Sequence, residues 1–218
     1  KIRKAGFKNV SIDLMYGLPG QKLIEWRSTL ENCLSLNPDH ISCYGLKVEE
    51  GTPLYEVREF SNLPNDDMQA DMYLAMVDIL RARGFRQYEI SNFAKSGYEC
   101  RHNLSYWERV DYLGLGLGAA SLLGNVRKSN QTELVEYLKG NFSGEEEVLD
   151  ETAAMEEYFF LGLRKMQGVN WVPYQKQYGK TVEKLTAEKL IELDGNHIRL
   201  TELGIDVSNY VLAEFLIE

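Results

Sequence analysis

One acidic residue interrupts an otherwise apolar run near the start of the chain. Asp13 lies within residues 10–16, which have the composition of a buried strand. A buried carboxylate is costly unless a cation or hydrogen-bond donors pair with it. Close to the end of a barrel strand, such a residue either binds a ligand or bonds to a backbone amide or a lysine. The pattern alone leaves both alternatives open.

A second segment with several side chains capable of chemistry is CRHNLSYW at residues 100–107. It brings a thiol, an imidazole and two large aromatic rings into one predicted loop. Zinc would require four ligands, and the remaining cysteines and histidines lack the paired spacing to supply them. His102 could instead bind haem iron axially while Tyr106 or Trp107 packs on the macrocycle. The alternative is a hydrogen-bonded histidine with a structural role.

Glycines occupy positions 114, 116 and 118 of a predicted strand at 112–117. On a strand all three would point to the same face and leave it without side chains. Such a face admits a flat ligand or a closely packed helix. The run lacks the spacing of a dinucleotide-binding Gly-x-Gly-x-x-Gly, and residues 17–22 lack the spacing of a phosphate loop.

Strands and helices that must position these residues alternate over the first part of the chain. Strands are predicted at 10–16, 41–46, 85–90 and 112–117; helices are predicted from Leu23 to Asn37, from an N-cap at Asp66 to Gly84, and at 133–138. A polar stretch at 47–65 separates the first two helices. This alternation predicts parallel pairing through right-handed crossovers. Four strands are too few to close a barrel, so we predict an α/β fold, the back half of a partial (β/α) barrel.

A polar, glycine-marked run at 141–147 predicts a domain boundary, with one domain at 1–143 and a second at 144–218. Helices are predicted in the second domain at 151–166, at 182–193 and, with Thr201 as N-cap, at 202–216. A hairpin turn is predicted at 194–196. Three helices and a hairpin suggest a winged-helix-like module. Its acidic residues outnumber its basic ones, so we predict that it packs on the barrel and does not bind nucleic acid.

Composition narrows the class of protein further. The 218 residues are 44% hydrophobic and carry a formal charge of −9. The apolar runs are shorter than the roughly 20 residues of a membrane span, so we predict no integral membrane protein. Three scattered cysteines without a secretory leader favour the cytoplasm. Because the chain opens on Lys1 and reaches a strand within ten residues, we expect it to be part of a longer protein.

Several sequence blocks resemble the radical SAM enzymes around oxygen-independent coproporphyrinogen III oxidase. These blocks are IDLMYGLPGQ at 12–21, PDHISCY at 38–44 and EGTPL at 50–54. Three more resemble the HemW branch, the haem chaperones: QYEISNFA at 87–94, HNLSYW at 102–107 and YLGLG at 112–116. The likeness runs nearly end to end. It implies the back half of a radical SAM barrel followed by a HemN C-terminal-like helical domain.

The resemblance implies two cofactors, a [4Fe-4S] cluster and S-adenosylmethionine (SAM). Family members bind the cluster through Cys-x-x-x-Cys-x-x-Cys, a spacing that this sequence lacks, and its cysteines at 33, 43 and 100 cannot substitute. The likeness implies that Asp13 contacts the SAM ribose. It also implies that Lys47 and Ala120 contact SAM, through backbone atoms.

The resemblance implies haem as a third ligand. His102 matches the histidine of the His-Asn-x-x-Tyr-Trp motif tied to haem binding in the HemW branch. His102 is therefore the expected iron ligand, Asn103, Tyr106 and Trp107 are expected haem contacts, and Cys100 is a possible second or competing ligand.

The predicted function is haem binding and transfer to a haem-requiring partner, such as a membrane-bound respiratory enzyme. The alternative is an oxidoreductase of porphyrin biosynthesis that oxidatively decarboxylates the propionate side chains of coproporphyrinogen III. A third hypothesis is a structural fragment that does not bind haem.

Overall fold

A four-stranded sheet organises the first of two units into which the chain divides. The computed structural model describes residues 1–57 and 62–217, and the units are Lys1–Cys100 and Arg101–Glu218. The strands of the first unit are β1 (Ser11–Tyr16), β2 (His40–Gly45), β3 (Arg86–Glu89) and β4 (Asn92–Ala94). Their order in the sheet is β1-β2-β4-β3. The predicted α/β class is confirmed.

Three helices accompany this sheet: α1 (Leu23–Ser35), α2 (Pro53–Glu56) and α3 (Asp66–Ala82). The Glu25 carboxylate accepts the backbone N–H of Lys22 at 2.9 Å, which satisfies a free donor at the start of α1. Asn65 caps α3 through its side-chain oxygen, one residue before the predicted Asp66. Helix α2 lies inside the stretch predicted as merely polar at 47–65, of which residues 58–61 fall outside the described residues.

The core of the first unit lies between one face of the sheet and the helices α1 and α3. Trp26 of α1 is fully buried, and its indole N–H donates to the carbonyl of Met72 at 2.9 Å. The other buried members of this core are Leu30, Cys33, Ile41, Cys43, Met76, Leu80, Phe85 and Phe93. Burial of these side chains fixes which face of each strand points towards the helices.

The prediction of uniformly parallel pairing is wrong. Strands β1 and β2 pair in parallel, but β4 is antiparallel to both of its neighbours. Only Ile90 and Ser91 separate β3 from β4, and so short a connection can only make a hairpin. Strand β3 therefore runs in the same direction as β1 and β2, with β4 inserted between it and β2.

The second unit contains two small antiparallel sheets. One has the order β5-β6-β7 and the other β8-β10-β9. Its strands are β5 (Ala120–Leu123), β6 (Val126–Asn130), β7 (Ser143–Val148), β8 (Val169–Asn170), β9 (Ile191–Asp194) and β10 (His197–Leu200). Its helices are α4 (Arg101–Trp107), α5 (Leu134–Leu138), α6 (Glu151–Gly162), α7 (Gln175–Ala187), α8 (Glu202–Asp206) and α9 (Ser208–Ala213).

The strand predicted at 112–117 does not form. Tyr112 makes an isolated bridge to Leu122, and the residues after it are irregular. Gly116 and Gly118 have φ of 106° and 66°, left-handed values that no strand uses, so the predicted bare strand face is absent. The Asn130 side chain donates to the Gly116 carbonyl at 2.7 Å and holds the loop in place.

The predicted domain boundary falls inside this unit. Residues 143–147, predicted as part of a polar linker, belong to β7, which pairs with β6 as an edge strand and is exposed along its whole length. The division between the two units follows Cys100 instead of residue 143. Paired residues of β6 and β7 are more than ten positions apart in sequence, so this pairing connects the two sides of the predicted boundary.

The elements predicted after residue 150 need smaller corrections. Helix α6 ends at Gly162 instead of at the predicted residue 166. Helix α7 covers 175–187, whereas the helix was predicted at 182–193. The last residues of that predicted range belong to β9. The helix predicted at 202–216 is divided at Val207. Thr201 caps α8 as predicted, and the 194–196 turn joins β9 to β10. Within the described ranges, no helix combines the length and the apolar character needed to cross a membrane.

Gly204 of α8 provides a test of the packing in the second unit. A Cβ at this position would lie 1.8 Å from the carbonyl oxygen of Leu190, so Gly204→Ala must displace backbone. We expect Gly204→Ala to lower the free energy of unfolding by about 1–3 kcal/mol in urea denaturation. The matched control is Gly179→Ala in α7, where nothing lies within 4 Å. This control should raise stability by about 0.5–1 kcal/mol; equal effects of the two changes would contradict the packing described.

Candidate functional site

The sheet of the first unit has one apolar and one polar face. Along β1, the side chains of Ile12, Leu14 and Tyr16 pack against the helix-side core. Asp13 therefore points to the opposite face, where it is exposed. The prediction that Asp13 is buried is wrong, because alternation along the strand places its apolar neighbours on the other side of the sheet.

A row of polar residues crosses the same face as Asp13. In the register of the sheet, Asp13 lies beside Ser42 of β2, and Ser42 lies beside Asn92 of β4. Ser42 and Asn92 are buried. The Asn92 side-chain oxygen is buried without a hydrogen-bond partner among the described residues, while its amide donates to Glu89. An acceptor left in this state favours a ligand that brings a donor.

His40 is the buried imidazole of this face. It lies beside Ser11 in the parallel register, and its Nδ1 and the Ser11 hydroxyl are joined by a 2.8 Å hydrogen bond. Its Nε2 forms a bond of the same length with the Tyr88 hydroxyl. Burial lowers the pKa of His40, although the negative charges of Asp13 and Glu99 oppose the shift. Both ring nitrogens are therefore used to hold β1, β2 and β3 together.

Asp39 anchors the strand that carries His40. Arg3 donates to its carboxylate at 2.5 Å and the Val10 backbone N–H donates at 3.0 Å. Burial alone would raise the pKa of Asp39, but these bonds and the charge of Lys95 outweigh it and hold the pKa below its usual value. The ionised carboxylate thus ties the approach to β1 to the start of β2.

The residues expected at SAM lie in both units. Asp13 and Lys47 belong to the first unit, and Ala120 opens β5 in the second. The Lys47 side chain is exposed and forms an ion pair with the exposed Glu49 at 2.9 Å. The exposed Asp13 carboxylate and the unpartnered Asn92 oxygen fit a ligand with hydroxyl and amine donors.

The cysteines do not fit an iron–sulfur cluster. Cys33 and Cys43 are buried in the helix-side core, and burial raises the pKa of both thiols. A cluster needs thiolates, which a buried apolar setting disfavours. Among residues 1–57 and 62–217, no group of three His, Cys, Asp or Glu side chains could hold a metal ion. We therefore assign no cluster ligand to this chain.

The segment predicted to bind haem is helix α4 and not a loop. His102 and Tyr106 are four residues apart on one face of this helix, and their rings meet edge to face with centroids 4.8 Å apart. Tyr112, which the sequence did not single out, contacts Tyr106 in the same manner at 4.7 Å. His102 is exposed, whereas Asn103, Tyr106 and Trp107 are half-buried.

The end of α4 is firmly held. Arg109 adopts the left-handed conformation (φ 53°) that ends many helices. Its guanidinium donates to Glu157 at 2.9 Å and to the Asn125 side chain at 3.1 Å. Cys100 precedes α4 as the last residue of the first unit, and its backbone N–H donates to the Tyr88 hydroxyl at 3.3 Å.

Sequence reasoning missed His40, Asn92 and Tyr112. Counting alternate residues back from the predicted strand at 41–46 would have placed His40 on the same face as Ser42. Asn92 could not be found in this way, because it lies on β4, a strand that was not predicted. Tyr112 was assigned to a strand that does not form.

The titration of His40 should appear in the pH dependence of stability. Because the pKa of His40 is lower in the folded chain than its ordinary value of 6.5, the unfolded chain takes up the proton first as the pH falls. We expect the free energy of unfolding to decrease as the pH drops below about 6.5. His40→Gln keeps donors and acceptors but does not titrate, so it should reduce this slope in urea denaturations between about pH 7 and 5. An unchanged slope would show that His40 does not titrate differently on folding.

Comparisons with known proteins agree with the resemblance in the sequence. Residues 149–207 match the family described as the HemN C-terminal domain. The chain is 38% identical over 232 residues to the haem chaperone HemW of Bacillus subtilis, covering 99% of this chain and 61% of that protein. HemW of Lactococcus lactis is 36% identical over 231 residues, covering 100% and 61%. The chain thus spans about three fifths of the length of these curated relatives.

A solved structure shares the fold. The coproporphyrinogen III oxidase HemN from Escherichia coli, described as a radical SAM enzyme, superposes with a TM-score of 0.77 at 21% identity. The match covers 98% of this chain and 56% of HemN. The predicted resemblance is thereby confirmed: residues 149–207 match the HemN C-terminal domain, and the chain is similar along nearly its whole length to part of the HemW haem chaperones.

Proposed function

We propose that this chain is part of a HemW-like radical SAM protein that binds haem through His102 and transfers it to haem-requiring proteins. The observation that carries the proposal is the exposed imidazole of His102 on α4, in edge contact with Tyr106. A histidine ligand needs an accessible ring nitrogen, and a porphyrin needs aromatic surface beside it. The HemW names of the relatives support the same ligand.

The state of the His102 ring supports ligation. Neither of its nitrogens makes a hydrogen bond to any residue in 1–57 or 62–217, in contrast to His40, which uses both. Ser105 donates to the backbone carbonyl of His102 at 2.8 Å, which steadies the helix without occupying the ring. The imidazole is therefore free to bind iron, with Asn103, Tyr106 and Trp107 as proposed haem contacts.

We propose that the polar face of the first sheet binds SAM. The Asp13 carboxylate would accept hydrogen bonds from the ribose hydroxyls, and the backbone at Lys47 of the same unit would contact the same molecule. The contact of Ala120 with SAM stays an expectation from the sequence resemblance. SAM bound at a [4Fe-4S] cluster supplies a deoxyadenosyl radical. Since no residue here fits as a cluster ligand, the proposal for this chain is limited to orienting SAM.

The architecture proposed from the sequence has partial support. Helices on one face of a sheet and ligand-facing polar residues on the other are typical of half of a (β/α) barrel. The winged-helix-like domain at 144–218 remains a proposal, supported by α7, α8 and α9 with the β9–β10 hairpin. We also propose a cytoplasmic location, supported by the three scattered cysteines. We propose no nucleic-acid partner, supported by the charge of −9.

A second candidate function is oxidation of coproporphyrinogen III. The observation that favours it is the shared fold with the HemN oxidase. In that case SAM chemistry would perform the difficult step, and this chain would orient the porphyrinogen.

Haem titration of the chain tests the proposal. We expect His102→Ala to weaken haem binding by about tenfold or more, because loss of one axial bond exceeds about 1.4 kcal/mol. The Soret absorption band should shift at the same time, since the ligand of the iron changes. His197→Ala, which removes another exposed histidine of the second unit, is the matched control and should change neither. Cys100→Ser tests whether the thiol is a competing ligand. An unchanged spectrum and affinity in His102→Ala would contradict the assignment.

Turnover of coproporphyrinogen III separates the two candidate functions. The protein that contains this chain, reconstituted with cluster and SAM, should bind haem and release no carbon dioxide from coproporphyrinogen. Release of two carbon dioxide molecules per porphyrinogen, measured together with protoporphyrinogen formation, would favour the oxidase instead.

A further inference from the structure

Three aromatic rings of the second unit form a row that begins at His102. The centroids of the His102 and Tyr106 rings are 4.8 Å apart, and the angle between the ring planes is 78°. The Tyr106 and Tyr112 rings repeat this arrangement at 4.7 Å and 76°. His102 is exposed and the two tyrosines are half-buried, so the row reaches the surface of a single unit. Tyr112 thus contacts the ring that contacts the imidazole.

Tyr112 is held by a strand of this unit and not by helix α4. Its backbone N–H donates to the Leu122 carbonyl at 2.8 Å, and its own carbonyl accepts from the Leu122 N–H at 2.9 Å. Leu122 lies in β5 and is buried. Two hydrogen bonds to a buried strand residue restrain the Tyr112 backbone. The Tyr106 ring, which α4 carries, therefore packs against a side chain whose base is fixed independently of that helix.

The His102 ring has no hydrogen bond that sets its orientation. Among residues 1–57 and 62–217, the side-chain hydrogen bond at His102 is the one from the Ser105 hydroxyl to its backbone carbonyl, so both ring nitrogens are without a partner. Histidines that bind metals usually fix their ring through a bond at the second nitrogen. Without such a bond, rotation of the ring about χ2 is only weakly restrained.

The contact with Tyr106 supplies the missing restraint. The energy of an edge-to-face pair depends on the angle between the two rings, so turning the imidazole away from Tyr106 weakens the contact. The same holds for the Tyr106 ring, whose orientation depends on its contact with Tyr112. The orientation of the imidazole is thus linked through two ring contacts to the backbone bonds between Tyr112 and β5.

We propose that Tyr112 is a positioning residue that orients the His102 imidazole for axial ligation of haem iron. The inference rests on the proposed function, in which His102 binds that iron. Tyr112 fixes the ring of Tyr106, and Tyr106 fixes the plane of the imidazole, so Tyr112 acts without touching the iron. Orienting the ligand in advance reduces the entropy lost on binding, which raises the affinity. Tyr112 lies outside the His-Asn-x-x-Tyr-Trp motif, six residues after Tyr106.

Two substitutions separate the ring of Tyr112 from its hydroxyl. Tyr112→Leu removes the ring, whereas Tyr112→Phe keeps it. The hydroxyl has no hydrogen-bond partner in the described part of the chain, so Tyr112→Phe is the conservative variant. Tyr137→Leu is the matched control, because it removes an edge-to-face contact with Phe142 (5.0 Å, 69°) elsewhere in the same unit. Titrations use the full chain with haem and with iron-free protoporphyrin IX.

We expect Tyr112→Leu to weaken haem binding by about 2- to 10-fold, the range that corresponds to one lost aromatic pair. Electron paramagnetic resonance of the ferric complex should show broader g values, because the imidazole plane then takes more than one orientation relative to the porphyrin. Protoporphyrin IX should bind this variant as tightly as the wild-type chain, since it forms no bond to the imidazole. Tyr112→Phe and Tyr137→Leu should match wild type in all three measurements.

A second substitution tests whether Tyr112 acts through His102. In a His102→Ala background, Tyr112→Leu should cause no further loss of haem affinity, because there is no imidazole left to orient. A further loss of the same size as in the wild-type background would show that Tyr112 acts independently of His102. Circular dichroism verifies that each variant is folded. If Tyr112→Leu unfolds, Tyr112→Met, which leaves a longer apolar side chain against Tyr106, replaces it.

Other outcomes would also overturn the inference. Unchanged haem affinity and g values in Tyr112→Leu would contradict a positioning role. An equal loss for haem and protoporphyrin IX would instead assign Tyr112 a packing role. His102→Ala alone tests the proposed function: unchanged haem affinity there would contradict iron ligation by His102. A loss in His102→Ala without any effect of Tyr112→Leu would contradict only the role of Tyr112.

Discussion

Side chains alternate along β1 and β2, and this alternation decides what each face of the first sheet can do. Burial of Ile12 and Leu14 against the helices places Asp13 on the opposite side. The parallel register then sets His40 beside Ser11 and Ser42 beside Asp13. A shift of one residue in either strand would exchange the faces and bury the acid among apolar side chains. The core and the candidate SAM site therefore depend on the same register.

The fold of the first unit is easier to predict from the sequence than that of the second, because the residue patterns that define its strands and helices are local. Alternation and helical spacing suffice for β1, β2, α1 and α3, whose bounds match the predictions to within a few residues. The apolar composition of residues 10–16 predicts burial on both faces, so it does not predict the exposure of Asp13. Strand β4 was missed because three residues are too few to carry a period.

In the second unit, pairing between distant residues decides the structure. Residues 143–147 have the composition of a linker, yet the hydrogen bonds of β6 make them part of a strand. The glycines at 116 and 118 follow a strand-like spacing, but both have left-handed backbone conformations. The Asn130 side chain donates to the Gly116 carbonyl, and the Gly118 N–H donates to the Gln131 carbonyl. His102 was identified through a motif. Arg164 and Trp107 are 57 residues apart in sequence, so only the fold brings the guanidinium over the indole ring.

Strand β7 also has a consequence for how copies of this chain meet. It is an edge strand, and among residues 1–57 and 62–217 no strand other than β6 pairs with it. Glu145, Glu146 and Glu147 stand in succession on this edge. Two such edges brought together would oppose their negative charges, which discourages strand addition between molecules. The acidic composition that resembles a linker thus disfavours pairing between the open edges of two copies.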